Sequence, residues 1–426
     1  MSDRRLLAPL RLEHPVWMCG MRPFFLLAAL SALGLVAWWG ALLGLGLPVP
    51  RVAGGAFVWH AHELLLGFGL AALAGFTLTA VPEFTSTASF APVQTRRLAL
   101  AWIIGRIAFA LSGLDGMAGR LALVIAGAAH LALLLGLAAM LAPRLWRSEG
   151  RRHLSFLWAL LIVAALVAGF YVDALRGAPP MRWLHALLGA LMALIVVAMS
   201  RISMRIVNRA IESDGGTVLY LARPPRRQLA LLCIALYTVC EFAWPAHRIG
   251  GWLAWAAAAA LLNLLNDWHA VGRALRRRWV LMLYLVYVLM AAGYGLIGWA
   301  LLADGPAMGA GRHLLTVGAL GLAVYVVICI AGRSHCGLLL DLRAWAPAGA
   351  VLIALGALLR ALAAWAGPPW LTAAALSWCL AWALLLAYMA PVLWEPRRDG
   401  GRGCDGPAEE LTDVAAGPVA PDQRAC

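Results

Sequence analysis

The chain has 426 residues, of which 63% are hydrophobic, only 13% are charged and 20 are tryptophan. That balance excludes a soluble globular domain and fits a polytopic helical membrane protein. All 34 basic residues are arginine, and the net charge of +14 is a matter of membrane topology, with no nucleic-acid partner implied, because the arginines are distributed so unevenly.

A bilayer core needs about 20 apolar residues per crossing helix. The spans expected on that basis run over 24–46, 56–82, 98–114, 118–142, 154–172, 182–204, 228–246, 249–270, 279–302, 312–332, 345–366 and 370–393. The expected fold is thus all-α, with about 12 transmembrane helices between an interfacial segment 1–23 and a disordered tail 396–426. Segments on the side of the N-terminus carry 25 arginines and the opposite loops carry 6, the rest lying within spans. Positive charge marks the cytoplasmic side, so both termini are expected there. Met1–Pro23 contains arginines and Glu13 instead of a short apolar run with a cleavage site, so no cleaved signal is expected.

The second span opens with Trp59-His60-Ala61-His62-Glu63. Ionisable groups at membrane depth are costly and usually have a role, and clustered neutral imidazoles most often bind metal. Two further histidines lie in corresponding places: His185 opens the sixth span and His313 the tenth, both from the same outer side. Gly67, Gly189 and Gly318 follow these histidines by four or five positions, leaving room for a neighbouring helix or a flat ligand. A unit of four spans repeated three times explains the arrangement. The next span of each unit carries a charge within the apolar stretch: Arg106, Glu241 and Arg360.

Consecutive helical residues turn by about 100°, so His60 and His62 point about 200° apart and cannot share one centre on a regular helix. Imidazole suits iron, copper, zinc and nickel; zinc sites usually add thiolate or carboxylate, a buried haem commonly takes an axial histidine, and arginine matches haem propionates. His60, His62, His185 and His313 are therefore the expected metal ligands, and Arg106 and Arg360 the expected propionate partners, with interhelical ion pairs as the alternative for the two arginines. Glu63 and Trp59 are expected to orient the histidines. His130, His153, His247 and His269 are read as ordinary interfacial residues. The eight cysteines form no CxxC or CxxCH pattern and read as small buried hydrophobes.

Three stretches resemble signatures of the NnrS family: Met21-Arg22-Pro23-Phe24-Phe25, the run from Trp59-His60-Ala61-His62-Glu63 to Gly75-Phe76-Thr77-Leu78-Thr79-Ala80-Val81-Pro82, and Met199-Ser200-Arg201-Ile202-Ser203-Met204-Arg205. The resemblance runs from about residue 13 to 395. It implies a haem- and copper-containing protein of the bacterial inner membrane, concerned with nitric oxide and nitrosative stress and linked to denitrification. Nitric oxide or a related small nitrogen species is then the ligand, the lipid bilayer the surroundings, and a respiratory-chain protein a candidate partner. Where relatives carry R-x-x-x-G-H-T-G-R, this chain reads Arg333-Ser334-His335-Cys336-Gly337-Leu338, which puts a role for His335 in doubt. The four-helix period is also similar to that of haem-copper oxidases, but their paired histidines on helix 7 and His-x-His on helix 10 have no counterpart here, so oxygen reduction is not implied. No catalytic residue is assigned. Two other classes remain open: a 12-helix transporter of a metal ion or small solute, and an assembly or sensory factor.

Overall fold

The apolar spans fold into helices because lipid offers the backbone no hydrogen-bond partner, and a helix satisfies its amides within itself. A computed structural model describes residues 11–147, 150–217, 219–269, 271–303, 305, 307–401 and 403–404, and no strand occurs among them. Ten helices are long and apolar enough to cross a membrane. In chain order the long helices are α1 Met21–Leu45, α2 Gly55–Phe84, α3 Pro92–Ala110, α4 Gly116–Leu145, α5 Leu154–Leu175, α6 Met181–Ser213, α7 Pro224–Ala243, α8 Arg248–His269, α9 Arg278–Ala303, α10 Met308–Ser334, α11 Trp345–Ala366 and α12 Pro369–Trp394. The two outside the group of ten are α3, with Arg96, Arg97 and Arg106, and α7, with Arg226, Arg227 and Glu241. Their charges leave no 18-residue stretch as apolar as the rest. Of the twelve expected crossings, length and composition therefore support ten.

Burial separates the helices into an inner and an outer set. The most apolar stretch of α2 is 89% buried, that of α10 78% and that of α6 72%, against 33% for α1, α11 and α12. The three helices that carry the expected histidine ligands are thus the most buried. Outer helices keep large apolar side chains exposed, such as Ile103, Ile104 and Ile107 on α3, a surface that suits lipid. The last helix returns to the first: Trp378 Nε1 donates to the Ala32 carbonyl at 2.7 Å.

Each of the three glycines admits a neighbouring helix, and none of them a ligand. A Cβ on Gly67 would collide with the Arg106 guanidinium of α3, one on Gly189 with Thr238 of α7, and one on Gly318 would press on Leu289 of α9 and Ala357 of α11. Two of the central helices also share an irregularity. Glu63–Gly69 in α2 and Leu314–Leu320 in α10 are π-helical, each beginning directly after a histidine. Such turns free backbone carbonyls and occur often at functional sites. The Gly67 carbonyl accepts a hydrogen bond from Trp102 Nε1 at 2.9 Å.

At the arginine-rich end, Arg22 is fully buried and donates to the Glu395 carbonyl at 2.7 Å. A cation there meets the unpaired carbonyls at the C-terminus of α12. The loop after α10 is stapled by Asp341, whose carboxyl is held well below the usual range by the Arg343 side chain. The expected tail starts by folding back: Arg397 is buried and donates to the His335 carbonyl at 3.3 Å, while Cys19 and Cys404 are joined as a disulfide. The two thus depart from the expected reading of the cysteines as small buried hydrophobes. The disorder expected for 396–426 otherwise concerns residues 405–426, outside the described residues, as are residues 1–10 of the interfacial segment.

A candidate cofactor cavity and a separate buried histidine network

The 200° divergence of the two histidines of α2 decides the layout. His60 faces a cavity of about 190 Å³ at the arginine-poor end, bounded by α1, α2, α6, α10, α11 and α12. His185, Arg312, His313 and Arg360 face the same space, and its other walls are mostly apolar, including Val36, Leu64, Phe68, Leu188 and Trp378. Four of the six expected site residues, His60, His185, His313 and Arg360, therefore come together. They do so from four different helices.

Each polar group of the cavity is held differently. His60 stacks on Trp39 with ring centroids 4.3 Å apart and makes no hydrogen bond among the described residues. His313 hydrogen-bonds through Nδ1 to the Gly309 carbonyl at 2.7 Å, so the proton sits on Nδ1 and Nε2 keeps its lone pair. A metal-ligating histidine is commonly fixed by such a bond. The rings of His60 and His313 are 6.4 Å apart and nearly parallel. Arg312 pairs with Glu241 at 2.5 Å, and His185 Nδ1 stands 4.0 Å from the same carboxylate. Arg360 has no hydrogen-bond or ion-pair partner among the described residues, and its charge bears on both His60 and His313. An unpaired cation facing imidazoles in an apolar cavity is a ready partner for an anionic group.

The remaining two expected residues, His62 and Arg106, lie elsewhere. His62 is fully buried, with Nδ1 3.0 Å from Glu63 Oε1 and Nε2 2.9 Å from the Tyr171 hydroxyl. That hydroxyl is also 2.9 Å from His130 Nδ1, and Arg106 closes the chain with an ion pair to Glu63. One proton assignment satisfies the network: His62 Nδ1–H donates to Glu63, Tyr171 donates to His62 Nε2, and His130 Nδ1–H is shared between Tyr171 and the Ala126 carbonyl. Both nitrogens of His62 are thus engaged. Of the two readings open for Arg106, the structure shows the ion pair. Glu63 orients His62 as expected, and Trp59 packs against Trp38 and Trp39 instead of any histidine.

His130 and Tyr171 are the two members of this network that sequence reasoning misses. The interfacial reading of His130 does not hold, because the residue lies near the middle of α4, is fully buried, and leaves Nε2 without a partner among the described residues. Its mid-span position is the signal that could have found it. Gly67 belongs to the same unit, since a methyl there would expel the Arg106 guanidinium. Gly67→Ala is expected to destabilise the protein by about 1–3 kcal/mol through overpacking, read as a lower thermal unfolding midpoint in detergent. Gly189→Ala would instead press on Thr238 and leave the ion pair intact.

Donor chemistry tests the expected cofactors. Among the described residues, no three His, Cys, Asp or Glu side chains are placed to hold one metal ion. The described residues by themselves offer no three-ligand copper centre. A haem brings its own four nitrogens and needs one or two axial imidazoles, and His60, His313 and the arginines suit it chemically. The cavity, about 190 Å³, is smaller than the roughly 300–1,000 Å³ of typical ligand pockets, so a macrocycle requires it to widen.

Fold and cavity together define a multi-pass helical membrane protein with an imidazole- and guanidinium-lined cavity at one end. Residues 15–397, most of the chain, match the family described as NnrS protein. The chain belongs to the NnrS family, and membership suggests a membrane protein related to the nitric oxide response. No curated protein matches it.

Proposed function

We propose that this chain is a haem-binding protein of the bacterial inner membrane that acts in the response to nitric oxide and nitrosative stress, linked to denitrification. The observation that carries the reading is the convergence of His60, His185 and His313 on one apolar cavity with Arg360, unpaired among the described residues. In this reading twelve helices cross the bilayer with both termini in the cytoplasm. The central position of α2, α6 and α10, and the π-helical turns of two of them, support three units of four helices.

His60 and His313 would hold the haem, and Arg360 would pair with a propionate. Bound iron would supply affinity for nitric oxide when only one of the two imidazoles occupies it. Trp39, stacked on His60, keeps water from that imidazole, and the bond from His313 Nδ1 to Gly309 keeps Nε2 directed at the cavity. Arg312 is already neutralised by Glu241, which leaves Arg360 as the cation available to an incoming carboxylate. Nitric oxide is small and apolar, so it reaches this site through lipid without a polar path. For copper, the other metal implied by the family, no ready set of ligands stands together among the described residues, and His185 is the imidazole left for it.

The test is a visible spectrum of detergent-purified protein, oxidised and reduced, with iron and copper quantified on the same sample. A Soret band that shifts on reduction, with near-stoichiometric iron, is the expected result. A folded, colourless, metal-free preparation made with haem supplied would overturn it.

A second reading, transport of a metal ion or small solute, gains from one observation. A second cavity lies at the arginine-rich end, with Glu83, Arg205 and His335 in its wall. Between the two cavities, however, the crevice is lined only by apolar side chains and Gly69, which disfavours the passage of an ion. Metal uptake into vesicles by protein lacking a chromophore would favour this reading.

A further inference from the structure

The cavity at the arginine-rich end measures about 100 Å³ and lies between α1, α2, α6 and α10. The sequence segments that resemble family signatures meet here. Phe25, Phe76 with Thr79, and Arg201 with Arg205 border it, each from a different such segment, as does His335 from the stretch that departs from the family pattern. The histidine cavity takes only the Trp59–Glu63 stretch and the residues just after it. This convergence concerns residues that the haem reading leaves unused.

Charge at the mouth is lopsided. Arg201, Arg205 and Arg209 lie four residues apart on α6 and so share one face. Glu83 is the one carboxylate in the wall, and it is already engaged, 2.5 Å from Arg205 and 3.3 Å from His335. Arg201 is half-buried, donates through Nη2 to the Arg152 carbonyl at 3.0 Å, and has a buried Nε without a partner among the described residues. Like charges at this spacing repel, and a guanidinium with an unmet buried donor calls for an acceptor.

The floor has the opposite character. Phe25, Phe76 and Val327 line it, and the same three residues also line the apolar crevice of about 70 Å³ that continues towards the middle of the molecule. A cationic mouth over an apolar shaft matches a ligand with an anionic head and a short hydrocarbon body.

We infer that this cavity binds an amphipathic oxyanion, its phosphate or carboxylate head on Arg201 and its apolar body on the Phe25–Phe76–Val327 floor. The head replaces the acceptor that Arg201 Nε lacks among the described residues. The body fills space that water would occupy poorly. This site is separate from the histidine cavity and does not rest on any cofactor there.

Calorimetric titration of the full chain in zwitterionic nanodiscs with octyl phosphate, inorganic phosphate and octanol tests the assignment. Octyl phosphate is expected to bind saturably at one site, with inorganic phosphate and octanol each at least about tenfold weaker. Arg201→Ala is expected to weaken octyl phosphate by roughly 10–100-fold. Val327→Trp, which fills the floor, should weaken octyl phosphate and leave inorganic phosphate unchanged. Should Arg201→Ala not fold, Val327→Trp carries the test. Adding phosphatidylglycerol to the nanodiscs identifies the source of the ligand: competition points to a membrane lipid, its absence to a soluble amphiphile, and both support the site. Equal binding of octyl and inorganic phosphate, or unchanged affinity in folded Arg201→Ala and Val327→Trp, would overturn it.

Discussion

Replacing Glu63 by glutamine is expected to destabilise the protein by about 3–5 kcal/mol, the largest effect of any single change at the histidine network. Glu63 and Arg106 are ion-paired, and their side chains are only 5% and 15% exposed. Removing the carboxylate's charge leaves a guanidinium at membrane depth without compensation. Ser31 Oγ, 3.3 Å from Arg106 Nη1, is a neutral acceptor and cannot replace it. The Glu63→Met/Arg106→Leu double variant should recover much of the loss, because a buried pair exchanged as a whole for apolar groups is often nearly neutral. Thermal unfolding of the three proteins in one detergent checks this. Arg106→Leu alone should lower the midpoint and keep the chromophore. Loss of the chromophore from a folded Arg106→Leu would return this arginine to the propionate role.

The second large effect separates two histidines that stand two residues apart. His60→Ala and His313→Ala are expected to lower retained iron to about a tenth or less of the wild-type content, with matching loss of the Soret band. His62→Ala should keep its iron and instead lose about 1–3 kcal/mol of stability, because Glu63 and Tyr171 lose the imidazole that both bond. Iron analysis and thermal melting on the same preparations distinguish the two classes. Equal loss of iron from His60→Ala and His62→Ala would sink the division of α2 into a cavity face and a structural face.

That division is legible in the order of residues alone. His60 and His62 must diverge, since helical geometry sets their angle whatever surrounds them. The π-helical turn begins only after His62, too late to bring the two together. What each faces is not legible there. His62 meets Tyr171 from 109 residues away and His130 through that hydroxyl, and no local pattern carries such a pairing. The glycines show the same limit. Their regular spacing after each histidine signals a close approach, but whether a ligand or a helix fills the gap depends on Arg106, Thr238 and Ala357 arriving from other helices.

Membrane residence, helical class and the unequal arginine content of the two ends follow from composition and order alone, because lipid imposes them on each apolar span separately. The central place of α2, α6 and α10 is foreshadowed by histidines at matching positions. The tertiary structure alone decides that Arg106 is spent on Glu63 while Arg360 remains unpaired among the described residues, although both read alike as arginines within apolar spans. An ion pair needs two groups within reach, and reach between distant segments is set only once the helices pack. The same packing gathers Phe25, Phe76, Arg201 and His335 into a second cavity, a site that no one of their segments could announce.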